Sequence, residues 1–287
     1  GITLIGDLPI YVAYDSADVW SHPELFLLDE DLRPVLCAGV PPDLFSEDGQ
    51  LWGNPLYRWK IHRGDRYRWW MQRIRAAFQR CDMIRFDHFR GFNDYWVVPW
   101  GNRTARGGHW CKGPGMDFFR ELKAQLGDRP MIAEDLGQLT DGVTELLEAS
   151  GLPGMKVLQF AFSPEERGAY LPHHHKKNSV VYTGTHDNET LCGFFLHASD
   201  KVKDFAADYL GCKAETEPLT WETIRCAFAS VADLAVVQMQ DLLLLGDRAR
   251  MNEPSTVGKN WQWRMNKGML TPALSEKLKA LCSIYER

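Results

Sequence analysis

Apolar positions recur along this chain with two different periods. Between residues 66 and 80, Trp70, Ile74, Ala77 and Phe78 fall at i, i+4, i+7 and i+8 with basic residues opposite, which predicts an amphipathic helix. The same spacing predicts helices over 116–126, stopped by Gly127, and over 140–149, capped by Thr140 and stopped by Gly151. It predicts two more, over 221–245, ended by Gly246, and over 272–285, with Thr271 as cap and Pro272 in the first turn. Short apolar runs at 1–5, 82–86, 130–133, 156–162 and 179–182 read as strands, with a weaker sixth at 248–251. Residues 29–55 are rich in Pro, Gly, Asp and Ser, which predicts a long ordered loop; such loops within a domain usually carry function.

Short buried strands alternating with helices of ten or more residues predict βα units, hence an α/β fold with a parallel sheet. A closed (β/α)8 TIM barrel needs eight strands, more than are read here. We expect one catalytic unit over 1–287, since no fixed-period repeat or low-complexity tract divides the chain.

Composition narrows the function classes. Of 287 residues 45% are apolar and 25% charged, values of a folded globular chain rather than a disordered one. The net charge of −5 argues against a nucleic-acid partner held by phosphate neutralisation. No apolar run approaches a membrane span and no leader pattern precedes the first strand, so we expect no membrane partner. The seven cysteines are scattered without a C-x-x-C pair, the usage of reduced thiols in the cytoplasm. We expect no metal and no cofactor. His173-His-His175 is read as a solvated loop.

The chemistry lies at strand ends. The run 82–87 finishes on Asp87, 130–134 on Glu134, and the run from 179 leads to His186 and Asp187. In parallel βα folds the carboxyl ends of the strands form the catalytic face. One such acid is equally well explained as a helix cap, but three from three strands point to a shared cleft. A di-metal centre and glycosyl transfer both use several carboxylates. Oxygen-rich metal sites usually add backbone carbonyls, His or closely spaced carboxylates. In glycosyl transfer, by contrast, Arg85 assigns the roles: it shares a strand face with Asp87 and keeps that carboxyl ionised, as a nucleophile requires. Glu134 follows an apolar Met-Ile-Ala run with no nearby preceding cation, so burial keeps it a proton donor. Trp52, set among polar and flexible residues, is a candidate platform for a sugar face, whereas Trp69, Trp70, Trp100 and Trp110 are assigned to packing.

Several segments resemble, in order, the bacterial 4-alpha-glucanotransferases (amylomaltases) of glycoside hydrolase family 77. They include Gly6-Asp-Leu-Pro-Ile-Tyr-Val12, Trp52-Gly-Asn-Pro-Leu-Tyr57, Arg85-Phe-Asp-His-Phe-Arg-Gly91, Ala133-Glu-Asp-Leu-Gly137, Gly184-Thr-His-Asp-Asn188 and Arg250-Met-Asn-Glu-Pro-Ser-Thr256. The resemblance implies a partial (β/α)8 barrel, strands three to eight, from the C-terminal portion of a longer enzyme. It implies Asp87 as nucleophile, Glu134 as general acid/base, and Asp187 as the acid gripping the distorted ring. Arg85 and His186 would flank the cleaved bond, Asp7 would support the site from the end of the first strand, and Asn252 would lie near substrate. Asp43, Phe45 and Trp52 would belong to a lid at about 37–55. Substrates would be α-1,4-glucans and glucose. An α-glucan hydrolase on the same scaffold, and an inactive glucan-binding fragment, are the alternatives.

Overall fold

Parallel strands packed on both faces are near-continuous apolar runs, so a charge placed within one is informative. The computed structural model describes residues 1–42, 46–137, 139–163, 167–254 and 256–287. The chain forms two compact units, Gly1–Gly154 and Met155–Arg287.

Seven strands belong to the first unit: β1 (Ile5–Pro9), β2 (Leu36–Val40), β3 (Gln50–Pro55), β4 (Met83–Asp87), β5 (Asp94–Pro99), β6 (His109–Lys112) and β7 (Met131–Ala133). β1, β4 and β7 make a parallel sheet in that order, with Asp7 level with Arg85 and Phe86 level with Ala133. β4, in the middle, buries Ile84 and Phe86 completely. The helix Arg68–Phe78 covers this sheet with Trp69, Trp70, Met71, Ile74 and Ala77, as its periodicity predicts. Trp70 is fully buried and meets Tyr57, Phe92 and Phe118 at ring-centroid distances of 5.4, 5.6 and 5.5 Å. Tilted and edge-on pairs at such separations are the favoured aromatic geometry.

The expected loop at 29–55 is different in the structure. β2 and β3 pair antiparallel and join β5 and β6 in a four-stranded sheet of order β3-β2-β5-β6. Gly39 serves a close strand approach: a Cβ there would meet the Gln50 carbonyl at 2.5 Å, beside a register shift between Cys37 and Gly39. Trp100 and Trp110 are partly exposed rather than core. Trp110 instead lies under the Arg90 guanidinium, 3.9 Å from its ring centroid.

The second unit contains β8 (Gly154–Val157), β9 (Ser179–Tyr182) and β10 (Leu234–Val236), in sheet order β10-β9-β8 with β10 parallel to β9. β10 corrects the expected helix over 221–245, which is in fact Thr216–Ala229, this strand, and a short helix Met239–Leu242. A short apolar run fits either period, and pairing of Leu234 with Val180 decides for a strand. The weaker strand at 248–251 is instead a 3-10 turn, Asp247–Ala249, and the run from 156 becomes helical at Leu158. β1 lies over 5–9 rather than 1–5 because its register is set by β4. His173 and His174 are exposed, whereas His175 is buried on Ser230 and the Tyr170 carbonyl.

Candidate active site

Arg85 organises the first unit's polar cluster. Residues two apart on a strand share a face, and level residues on adjacent parallel strands do too, so Asp7, Arg85 and Asp87 project together. Arg85 Nη1 donates to Asp7 Oδ1 at 2.6 Å and to Asp87 Oδ1 at 3.1 Å, while Nη2 lies 3.5 Å from Glu134 Oε2. Its side chain is only 10% exposed. Burial opposes its charge, but Glu134, Asp7 and Asp87 outweigh this and hold the guanidinium firmly protonated. Asp7 sits in the middle of β1 rather than at its end. A cation is thus built in among the three carboxylates.

Glu134 follows β7 directly. Its N–H donates to the Phe86 carbonyl at 3.0 Å, and its own carbonyl accepts from the Phe89 N–H at 3.1 Å. Its Oε2 accepts the His88 backbone N–H at 2.6 Å. The side chain is 14% exposed. Burial, then the nearby Asp87 charge, push its pKa up to about 8, against the opposing pull of Arg85 and the His88 amide. The sequence reading of Glu134 as a group away from cations needs correction, since Arg85 reaches it across strands; burial nevertheless dominates.

His88 carries no role in the sequence reading. It adopts the left-handed conformation at φ 52°, rare for a residue with a Cβ, and this turns its amide toward Glu134. Burial lowers its imidazole pKa to about 4. Trp52, on β3, stands edge-on to that ring at 4.7 Å and 6.3 Å from Tyr11. It is half-buried against the core rather than free-standing in a loop. Asp43 and Phe45 lie outside the described residues.

The second unit holds the third acid. β9 ends at Tyr182, and Asp187 lies five residues on, after a turn closed by Asn188 Oδ1, which accepts the Thr185 N–H and hydroxyl at 2.8 Å each. Asp187 Oδ1 accepts from Asn252 Nδ2 at 2.6 Å, and Oδ2 lies 3.3 Å from His186 Nε2. Arg250 donates to the Asp187 carbonyl at 2.7 Å, and the Asn252 N–H to the His186 carbonyl at 3.0 Å. Trp261, half exposed and also overlooked in the sequence, approaches the His186 ring at 5.0 Å. Two tryptophans, Trp261 and Trp263, set amid polar loop residues were the available signal.

Comparison with known proteins identifies the family. A sequence model of glycoside hydrolase family 77, described as 4-alpha-glucanotransferase, matches residues 1–271. The 4-alpha-glucanotransferase of Streptococcus pneumoniae is 49% identical over 287 residues, 100% of this chain and 57% of that protein. That of Clostridium butyricum is 47% identical over 288 residues, 100% of this chain and 59% of the relative. The amylomaltase from Streptococcus agalactiae, solved in complex with acarbose, superposes with a TM-score of 0.96 at 44% identity, over 100% of this chain and 58% of that one. The chain therefore spans just under three-fifths of the length of these relatives and shares the mixed α/β, TIM-barrel type of fold of the amylomaltases. With its matching segment covering nearly all of the sequence, this chain belongs to the 4-alpha-glucanotransferase family, glycoside hydrolase family 77.

Proposed function

We propose that the chain carries the catalytic residues of a retaining 4-alpha-glucanotransferase, which moves an α-1,4-glucan segment to the 4-hydroxyl of glucose or another glucan. The observation that carries this reading is the pair formed by Asp87 and Glu134. Asp87 ends β4 and Glu134 directly follows the neighbouring parallel strand β7; both face Arg85, but Asp87 is the more open and Glu134 is buried with a pKa near 8. Adjacent strands lie about 4.8 Å apart. That spacing favours the roughly 5–5.5 Å of a retaining carboxyl pair over the roughly 6.5–9.5 Å of an inverting one.

In the first step Asp87 attacks the anomeric carbon as the glycosidic C–O bond breaks. Glu134 gives its proton to the departing oxygen. Because Oε2 is committed to the His88 amide and faces Arg85, Oε1 is the oxygen assigned to carry the proton. In the second step the acceptor hydroxyl loses its proton to Glu134 and displaces Asp87, so configuration is kept. Asp187 grips hydroxyls of the distorted ring, with His186 beside it. Asn252 acts through Asp187 rather than on sugar, since its amide donates to that carboxylate. Asp7 steadies Arg85. Trp52 covers the glucan and keeps water from the intermediate.

The six strands of the β1-β4-β7 and β10-β9-β8 sheets support the reading of strands three to eight of one (β/α)8 barrel. The acarbose complex of the similar amylomaltase supports an α-glucan ligand. All seven cysteines are free thiols, in keeping with a cytoplasmic enzyme. Incubating the full-length protein with maltotriose tests the proposal. Glucose together with longer maltooligosaccharides is expected; products no longer than the substrate would overturn it.

A further inference from the structure

One group of titratable side chains in the second unit has no part in the proposed reaction. Glu189 follows the Asp187 turn, His197 ends the helix Leu191–His197, and Asp247 opens the 3-10 turn Asp247–Ala249. His197 Nδ1 lies 2.7 Å from Glu189 Oε1 and 3.4 Å from Asp247 Oδ2, and one donor atom from each side chain lies within 4.8 Å of the others.

We propose that Glu189, His197 and Asp247 form a site for a divalent transition metal of the zinc type. Ligands about 2.0–2.1 Å from a tetrahedral zinc stand about 3.3 Å from one another, so the three donor atoms are already gathered near three corners of such a shell. One imidazole with two carboxylates is a zinc ligand set and suits neither calcium nor magnesium, which favour oxygen-only shells. The orientation of Asp247 is itself built. Its other oxygen, Oδ1, accepts the Thr190 N–H at 3.0 Å and the Thr190 hydroxyl at 3.3 Å, leaving Oδ2 to face the site. Hydrogen-bonded carboxylates of this kind are a regular support of metal centres. Gly193 permits the arrangement, because a Cβ at that position would collide with the Asp247 carboxylate. His197 is 65% exposed, which gives an ion a way in and leaves a fourth position to water.

A bound ion would tie the connection after β9 to the turn that leads into Arg250 and Asn252, the two residues holding Asp187. The competing occupant is a proton on His197, which would make the group a plain ion pair. The experiment is calorimetric titration of the full-length, metal-stripped protein with zinc chloride, alongside thermal unfolding with zinc and with EDTA. We expect one ion per chain at this site and a rise in Tm that EDTA reverses. His197→Arg keeps the positive charge between the carboxylates but offers no ligand, so it should stay folded and lose the ion. A double variant, His173→Ala with His174→Ala, removes other surface imidazoles and should retain it. No uptake with zinc in excess, uptake unchanged in His197→Arg, or uptake lost in the double variant would each overturn the assignment.

Discussion

The backbone N–H of His88 donates to Glu134 Oε2 at 2.6 Å, from a residue held in the left-handed conformation. This contact, with Arg85, opposes the effect of burial on Glu134; burial prevails, and the carboxyl titrates near 8 instead of its ordinary 4.5. The folded protein therefore binds this proton more tightly than the unfolded chain does. The resulting stability is full below pH 4.5 and is lost as pH rises toward 8. Glu134→Gln mimics the protonated acid and removes the dependence. Its stability relative to the parent should rise by at most about 1.4 kcal/mol per pH unit across this window and then level off. Urea midpoints at acid and alkaline pH measure the difference.

Activity should follow the same group. In the proposed reaction, protonation of the leaving oxygen needs Glu134 neutral, so turnover should decline as pH rises through about 8. Glu134→Gln should lower kcat by about 10²–10⁴-fold. A pH–rate profile of full-length protein on maltotriose reads both effects.

Arg85 faces three carboxylates through two nitrogens, a fork that lysine cannot reproduce. Arg85→Lys keeps one charge but loses the shared geometry, and a loss of at least about tenfold in kcat/KM is expected for each charge-assisted hydrogen bond removed. Arg85→Ala should be worse. Equal activity of the parent and Arg85→Lys would remove this residue from the mechanism.

Asn252 holds Asp187 by a charge-assisted hydrogen bond worth about 1.5–3 kcal/mol. Asn252→Ala should therefore reduce kcat by about 10–100-fold with a smaller change in KM, if Asp187 grips the ring most tightly in the transition state. Asn252→Asp, which sets a second carboxylate against Asp187, should reduce it further and recover partly at low pH. Steady-state kinetics on the two variants separate positioning from sugar contact.

Trp70 joins the helix Arg68–Phe78 to the aromatic core of the first unit. Trp70→Ala should cost about 3–5 kcal/mol through lost contacts and a cavity. Trp70→Phe, which preserves much of the ring stacking, should cost less. Chemical denaturation of both variants gives the comparison.

Signals that act over a few residues were legible in the chain itself. The helix Met116–Leu126 and the helix Pro272–Tyr285 match their expected limits, and Thr271 Oγ1 does accept the Leu274 N–H, at 3.2 Å. Thr140 occupies its expected cap position but makes no side-chain cap bond. The strand Ser179–Tyr182 and the acid ending β4 were equally readable, because strand length, alternation and a terminal carboxylate are local properties. What needed the tertiary structure was everything decided by a distant partner. Residues 234–236 fit a helix or a strand until β9 supplied hydrogen bonds, and residues 36–40 and 50–55 passed for a loop until they paired. The same holds for chemistry: Arg85 reaches Glu134 from another strand, and Asn252 reaches Asp187 across 65 positions. Sequence spacing encodes periodicity and caps, whereas hydrogen-bond pairing and electrostatic shifts depend on distance through space, which only folding sets.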